Sequence, residues 1–259
     1  MRNLYLLFKK EFKSYFSSPV AYVVIAMFMA VAGYLFYGLM AYFSTLSFNA
    51  QVDPAIAREA NLLNITESVV RPLFGMISMI MLIMVPLLTM RLFAEEKKTG
   101  TIELLLTYPI TDLEVVLGKF LACLAVLFTM LVLSAIFPII VIVYGEPEIG
   151  PIITGYLGLV FLGASFAAFG IFASSLTENQ IIAATVSFGV IFLFWMLGLA
   201  QPFAGPVLGS FMNYISITHH LEAFAKGVVD TEDIVYYTMF IVLFIFLTLR
   251  TLESKRWRG

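Results

Sequence analysis

The stretch "EEKKTGTIELLLTYPIT", Glu95 to Thr111, stands between two of the most apolar segments of the chain. From Glu95 to Glu114 there are seven charged side chains: Glu95, Glu96, Lys97, Lys98, Glu103, Asp112 and Glu114. At about 2.5 kcal/mol or more for each charge near a bilayer centre, this stretch cannot be folded into hydrocarbon. It reads as a hairpin that joins two membrane helices in water or against protein. Gly100 breaks the incoming helix, and Thr101 can cap a short helix from Ile102 to Tyr108. Pro109 closes that helix, because proline supplies no backbone donor and restricts the residue before it. Thr111 with Glu114 forms a T-x-x-E capping box for the next helix. A helix of under two turns is marginal alone in water, so something is expected to pack on it. Leu104, Leu105 and Leu106 beside Glu103 suit either an interfacial helix resting on lipid or an element that docks into a partner protein.

Working outward, apolar residues make up 61% of the chain and charged residues 12%, with a mean hydropathy of +0.97. Soluble domains are about half apolar, so this is a membrane protein. Its net charge of -2 carries little information, because in membrane proteins the placement of Lys and Arg matters more than their sum. The single cysteine, Cys123, lies in an apolar run and reads as a small buried side chain.

Uncharged apolar runs of about the length that crosses a bilayer occur at 20–43, 72–89, 120–144, 152–173, 181–200 and 234–249. The fold expected is therefore an all-α polytopic membrane protein of six transmembrane helices, forming a single domain over 1–259 with a hairpin over 90–119. Six crossings place both termini on one side. Twelve of the fifteen Lys and Arg residues fall on that side: Arg2, Lys9, Lys10, Lys13, Arg91, Lys97, Lys98, Lys119, Arg250, Lys255, Arg256 and Arg258. Arg58, Arg71 and Lys226 remain opposite. The positive-inside rule makes the terminal side, and with it the hairpin, cytoplasmic.

Residues 1–18 carry charges through Lys13 and read as an interfacial helix rather than a cleavable signal. Tyr5, Phe8, Phe12, Tyr15 and Phe16 share one face, while Lys9, Lys10, Lys13 and Ser14 take the other, the pattern of a helix in the headgroup layer. Ser18 can cap the first span and Pro19 can open it. A second, smaller cytoplasmic turn, "SSLTENQ" from Ser174 to Gln180, offers Thr177 and Gln180 as another capping box.

None of the six runs contains Asp, Glu, Lys, Arg or His. Ion-coupled transporters normally place such groups at mid-membrane, so a secondary transporter is disfavoured. There is no G-x-x-x-x-G-K-[ST] loop for nucleotide. His219, His220 and Glu222 depart from the zinc signature H-E-x-x-H and read as polar surface residues of the outer face. They are also the only candidates for a lipid-modifying activity. No metal site, bound cofactor or nucleic-acid partner is expected, and the chain is not expected to be an enzyme.

Small residues at helical spacing, Gly163, Ala167, Gly170 and Ser174 in the fourth span and Ala26, Ala30 and Gly33 in the first, allow close helix approach, within the chain or between copies. Pro86 and Pro138 are candidate kinks. In the first outer loop Asp53 and Pro54 suit a helix start. The second, 201–233, is broken by Gly and Pro yet aromatic. Its segment from Pro202 to Ile217 is too short to cross, so it is either a re-entrant dip into the outer leaflet or a plain surface loop.

"FAEEKKTGTIELLLTYPITDLEVVLGK", behind an interfacial N-terminal helix and ahead of four more spans, resembles the permease subunits of the ABC-2 family of ATP-binding-cassette transporters. "FKKEFKSYFSSPVAYVV", "GIFASSLTENQIIA", "HHLEAFAKGVVDTEDIVYY" and "LESKRWRG" are similar to its gliding-motility and multi-copper-enzyme-maturation branch. The resemblance implies a half-size membrane subunit of a bacterial plasma membrane, binding no nucleotide itself. It pairs with itself or a sister permease and docks two copies of a cytoplasmic ATPase that carries ATP and Mg. It implies that Glu96, Gly100, Thr101, Glu103, Leu105 and Pro109 belong to the coupling helix, with Thr177 and Glu178 as a second cytoplasmic contact. It also implies an outer gate containing Pro202, Phe203, Pro206 and Phe211. The function expected is ATP-driven export, or transmission of force to envelope or motility machinery without cargo.

Overall fold

A computed structural model describes residues 2–52, 64–101, 110–200 and 205–256. Helix α1 (Arg2–Ser17) leads into α2 (Pro19–Val52), the first span. The junction is built as the sequence predicts: Pro19 opens α2, and Ser18 Oγ accepts from the Val20 amide at 3.4 Å. A π-helical turn (Thr66–Val70) leads into α3 (Arg71–Thr89), which continues after a break at Met90 as α4 (Arg91–Lys98). Then follow α5 (Asp112–Ser134) and α6 (Ile136–Tyr144), α7 (Ile149–Leu176), α8 (Gln180–Ala200), the short helices α9 (Pro206–Ile215) and α10 (His219–Ala225), and α11 (Thr231–Arg256).

Six helical stretches are long and apolar enough to cross a membrane: Pro19–Gln51, Thr66–Lys98, Asp112–Tyr144, Ile149–Leu176, Gln180–Ala200 and Thr231–Ser254. The all-α, six-span expectation is met. Several helices are longer than their apolar runs, because helical hydrogen bonding continues past the hydrocarbon into residues that are charged or half-exposed. The second span, for example, carries its helix through Lys98.

Span four is the axis of the bundle. In its most apolar window 78% of residues are buried, against 17% for spans five and six, so α7 is packed on most sides while α8 and α11 present broad outer faces. Small residues make this possible. A Cβ on Gly163 would meet Met81 at 2.5 Å, one on Gly155 would meet Phe74 at 2.3 Å, and one on Gly170 would meet Thr89 at 2.1 Å. The fourth-span stripe thus packs α7 against α3 inside the chain. The first-span stripe behaves differently. Ala26 and Ala30 are exposed, and α2 instead buries Ala21, Val24, Phe28, Ala32 and Phe36.

The prolines interrupt their spans off-centre. Pro138 removes the donor that would meet the Ser134 carbonyl, and the third span breaks there at Ala135. Pro86 lies within α3, whose break comes one turn later at Met90.

Candidate functional site

The even number of crossings gathers α1, α4, the start of α5, the turn at 177–179 and the end of α11 at one end of the molecule, the hairpin end. Helix α4 ends as predicted, with Gly100 in the left-handed region (φ 71°) and Thr99 N–H donating back to Glu95 O at 3.0 Å. The outgoing strut is capped as predicted too. Thr111 Oγ1 accepts from the Glu114 amide at 3.3 Å, and Glu114 Oε2 accepts from the Thr111 amide at 3.2 Å. Glu103, Leu105 and Pro109, with the helix expected from Ile102 to Tyr108, lie outside the described residues.

The base of the hairpin is locked by buried charge. Lys119, at the start of α5 and 3% exposed in its side chain, donates to Glu11 of α1 at 3.1 Å and to Glu96 of α4 at 2.7 Å. Lys10 lies 3.3 Å from the same Glu11 oxygen. Burial pushes the Glu11 carboxyl up, but Lys119 and Lys10 outweigh it and hold the group below its ordinary value of 4.5. Around this cluster Tyr15 donates to Leu88 O at 2.8 Å, Arg91 lies over the Tyr15 ring at 4.7 Å, and Lys119 lies over the Phe93 ring at 5.2 Å. A Cβ on Gly118 would meet Leu7 at 2.9 Å, so α1 and α5 touch closely beside the lysine.

Helix α1 therefore packs on protein along Leu7, Glu11 and Tyr15. Phe8, Phe12 and Phe16, placed by periodicity on its apolar face, form a ring stack half-buried along one edge, and Tyr5 is exposed. Glu96, expected at the partner contact, turns inward to Lys119. Gly100 and Thr101 are exposed, and Thr101 Oγ1 lies 2.9 Å from Thr99 Oγ1.

Span four braces the other side. Ser174 Oγ accepts from the amides of Phe93 and Ala94, both at 3.1 Å, and donates to Met90 O at 2.8 Å. One hydroxyl thus satisfies backbone groups freed where the second span breaks. Lys97, buried, donates from Nζ to Ser175 O. Sequence reasoning places Ser174 in a packing stripe and misses this role; its position at the end of that stripe, opposite a break flanked by Pro86, is the signal available.

The second turn needs a correction. Thr177 with Gln180 does not form the capping box, because α8 is capped by Asn179, whose Oδ1 accepts from the Ile181 amide at 2.9 Å. Thr177 is the residue after α7, and its Oγ1 accepts from the Asn179 amide at 3.1 Å. An Asx side chain one residue before the helix wins over a Thr three residues before it. Glu178 is exposed and shares a cleft with Lys98, Asn179 and Ile181, so this turn lies beside the end of α4.

At the distal end two short helices, α9 and α10, follow one another between spans five and six. Thr154 Oγ1 of α7 donates to Phe224 O at 2.6 Å, and a Cβ on Gly158 would meet Phe224 at 2.7 Å. Helix α10 therefore packs against α7 near its distal end. The surface reading holds for His219, which is exposed, but fails for His220, which is 3% exposed. His220 Nδ1 lies 2.6 Å from Asp233 Oδ1, its Nε2 lies 3.1 Å from Tyr214 O, and its ring stacks on Tyr236 at 3.9 Å. This one side chain pins α9 to α11, and Tyr236 and Tyr237 add bonds to Ile215 O and Ile217 O at 2.7 and 2.8 Å. Its polar atoms are taken up by structure rather than turned to a substrate. Phe211 is exposed on α9, which Pro206 opens; Pro202 and Phe203 lie outside the described residues.

An all-α domain of six apolar spans, with a braced polar segment at one end and two short helices between spans five and six at the other, defines a polytopic membrane domain. The sequence model described as "ABC-2 family transporter protein" matches residues 5–252, nearly the whole described chain, and the protein belongs to that family. No curated protein matches the sequence.

Proposed function

We propose that this chain is the permease subunit of an ABC exporter, coupling ATP hydrolysis by a separate cytoplasmic ATPase to movement of a substrate across the membrane. The observation that carries the reading is the contrast at the hairpin end. The base of the hairpin is tied to α1, α5 and α7 by Lys119, Glu11, Glu96, Ser174 and Lys97, while Gly100 and Thr101 at its edge are exposed. A handle of this kind moves as a rigid body when pushed, which is how an ATPase without covalent linkage can drive a membrane domain. The absence of ionisable residues from the six apolar runs supports the same choice, since the energy then enters from outside the membrane.

In this reading the hairpin end, with both termini, faces the cytoplasm of a bacterial cell. Residues 96–109 and the turn at Thr177 and Glu178 meet two ATPase copies that hold ATP and Mg, and a second permease, identical or related, completes the membrane unit. The similarity to the gliding-motility branch makes force transmission without cargo the alternative output of the same coupling.

The test is to insert two residues after Gly100 and to exchange Thr101 for Arg, then to purify the permease with its ATPase. The permease is expected to insert and fold while ATPase recovery and substrate-stimulated hydrolysis fall together. Unchanged recovery and unchanged stimulation in both variants would refute the docking assignment.

A further inference from the structure

The buried ring of His220 meets an acceptor at each nitrogen. Nδ1 lies 2.6 Å from Asp233 Oδ1, and Nε2 lies 3.1 Å from the Tyr214 carbonyl oxygen. A carbonyl oxygen cannot donate, so the Tyr214 contact is a hydrogen bond only while Nε2 carries a proton. The Asp233 contact needs a proton as well, held on Nδ1 or on the carboxyl. A neutral imidazole beside a carboxylate supplies one proton for these two contacts, and the contact left without one sets two lone pairs against each other. Both bonds exist together only when the pair holds one further proton. Whether that proton rests on the ring or on Asp233 does not change the count.

The two bonds tie different elements. Asp233 belongs to α11, so its bond holds α10 to α11, whereas Tyr214 belongs to α9. With a single proton the charge-assisted bond to Asp233 is the stronger and keeps it, and the tie to α9 is the one lost. Around the ring stand Tyr236 of α11 at 3.9 Å between ring centres, Tyr214 of α9 and Tyr237 of α11 at 6.2 Å each, and His219 of α10 at 6.0 Å. The pair lines a cleft that also carries Glu222 of α10, Lys226 and Asp230 of the following turn, and Glu232 of α11, which gives water a route to it. Helix α7 meets α10 through Thr154 and Gly158, neither of them ionisable. His219 is the other imidazole of the chain, and it is exposed.

We propose that His220 and Asp233 form a proton-operated latch on α9: with the further proton the pair ties α9 to α10 and α11, and its loss loosens α9 alone. The sign follows from the count. The latch is complete in acid and is lost as pH climbs through the range in which an imidazole changes charge, about pH 5 to pH 8. It needs neither the ATPase nor a direction of transport, because it is a property of this chain.

The test uses the full-length chain in detergent micelles. Hydrogen exchange of the α9 amides is followed in steps from about pH 5 to pH 8, each rate divided by that of an unstructured amide at the same pH, with α5 as internal reference. The corrected α9 rate is expected to rise about fivefold toward the alkaline end, the equivalent of one hydrogen bond, while α5 stays constant. His220→Gln should abolish this pH dependence. In His219→Gln a single imidazole remains, and the nitrogen NMR spectrum of labelled histidine should show Nε2 protonated at the acid end and bare at the alkaline end, with the same midpoint as the rise in α9 exchange. That comparison decides alone if His220→Gln fails to fold. A corrected α9 rate that is flat over the whole range, a rise that persists in His220→Gln, or midpoints that do not coincide would overturn the proposal.

Discussion

The two ends of this membrane domain are fastened by different chemistry. At the hairpin end a buried ammonium, Lys119, sits between two carboxylates on two other helices. At the distal end His220 sits between Asp233 and the Tyr214 carbonyl, and most of the remaining bonds are hydroxyl to carbonyl. A buried full charge with two partners tolerates little movement, since separation strands charge in a medium of low dielectric. Hydrogen bonds to carbonyls are worth about 1 kcal/mol each and can be exchanged for water. The hairpin end is therefore held by an ionic cluster, the distal end by a buried His220–Asp233 pair and several hydrogen bonds of lesser individual weight.

Breaking the charge cluster should have the largest effect. Lys119→Met leaves Glu11 and Glu96 buried without their shared cation and should cost about 3–5 kcal/mol, read as a lowered unfolding midpoint in detergent. Adding Glu11→Gln and Glu96→Gln should recover part of the loss, because the stranded charges are then gone.

Acid should loosen the same end. The Glu11 carboxyl titrates below its ordinary value of 4.5 in the folded protein, so its contribution is present above about pH 4.5 and is lost as pH falls through the lowered value. Hydrogen exchange of α1 amides should rise over that acid range. In Glu11→Gln the rise attributable to this group should vanish.

At the distal end Asp233→Ala should cost about 2 kcal/mol by leaving the His220 imidazole short of an acceptor. Exchange should increase in α9 and α10 while α4 and α5 stay protected. If instead the hairpin end loosened equally, the two ends would not be independent units. The smallest effect is expected from Thr111→Ala, which removes an exposed cap worth about 1 kcal/mol and should fray only the first turn of α5.

Those elements that depend on local pattern were legible in the sequence. Six apolar runs gave the six spans, Gly100 marked the end of α4, and Thr111 with Glu114 marked the start of α5. The charge cluster was not legible, because Lys119 and Glu11 stand 108 positions apart and no periodicity links them. A local hint existed, since Glu11 lies one turn from both Leu7 and Tyr15, on a face that turned out to be buried. His220 was misread because two adjacent histidines in a loop look alike; a helix that points one out and the next in separates them. At Thr177 the capping-box spacing was present, but Asn179 stood closer to the helix start and took the amide.

The central claim is that the edge of the braced hairpin meets an ATPase in the cytoplasm. The native Cys123 is buried, so a single Thr101→Cys substitution adds one accessible thiol. In membranes containing the ATPase, a short thiol-to-amine cross-linker should join the two proteins at this position, and a membrane-impermeant thiol reagent added outside intact cells should leave it unmodified. Rapid modification from outside, or no adduct with the ATPase at any stage of the nucleotide cycle, would contradict the account.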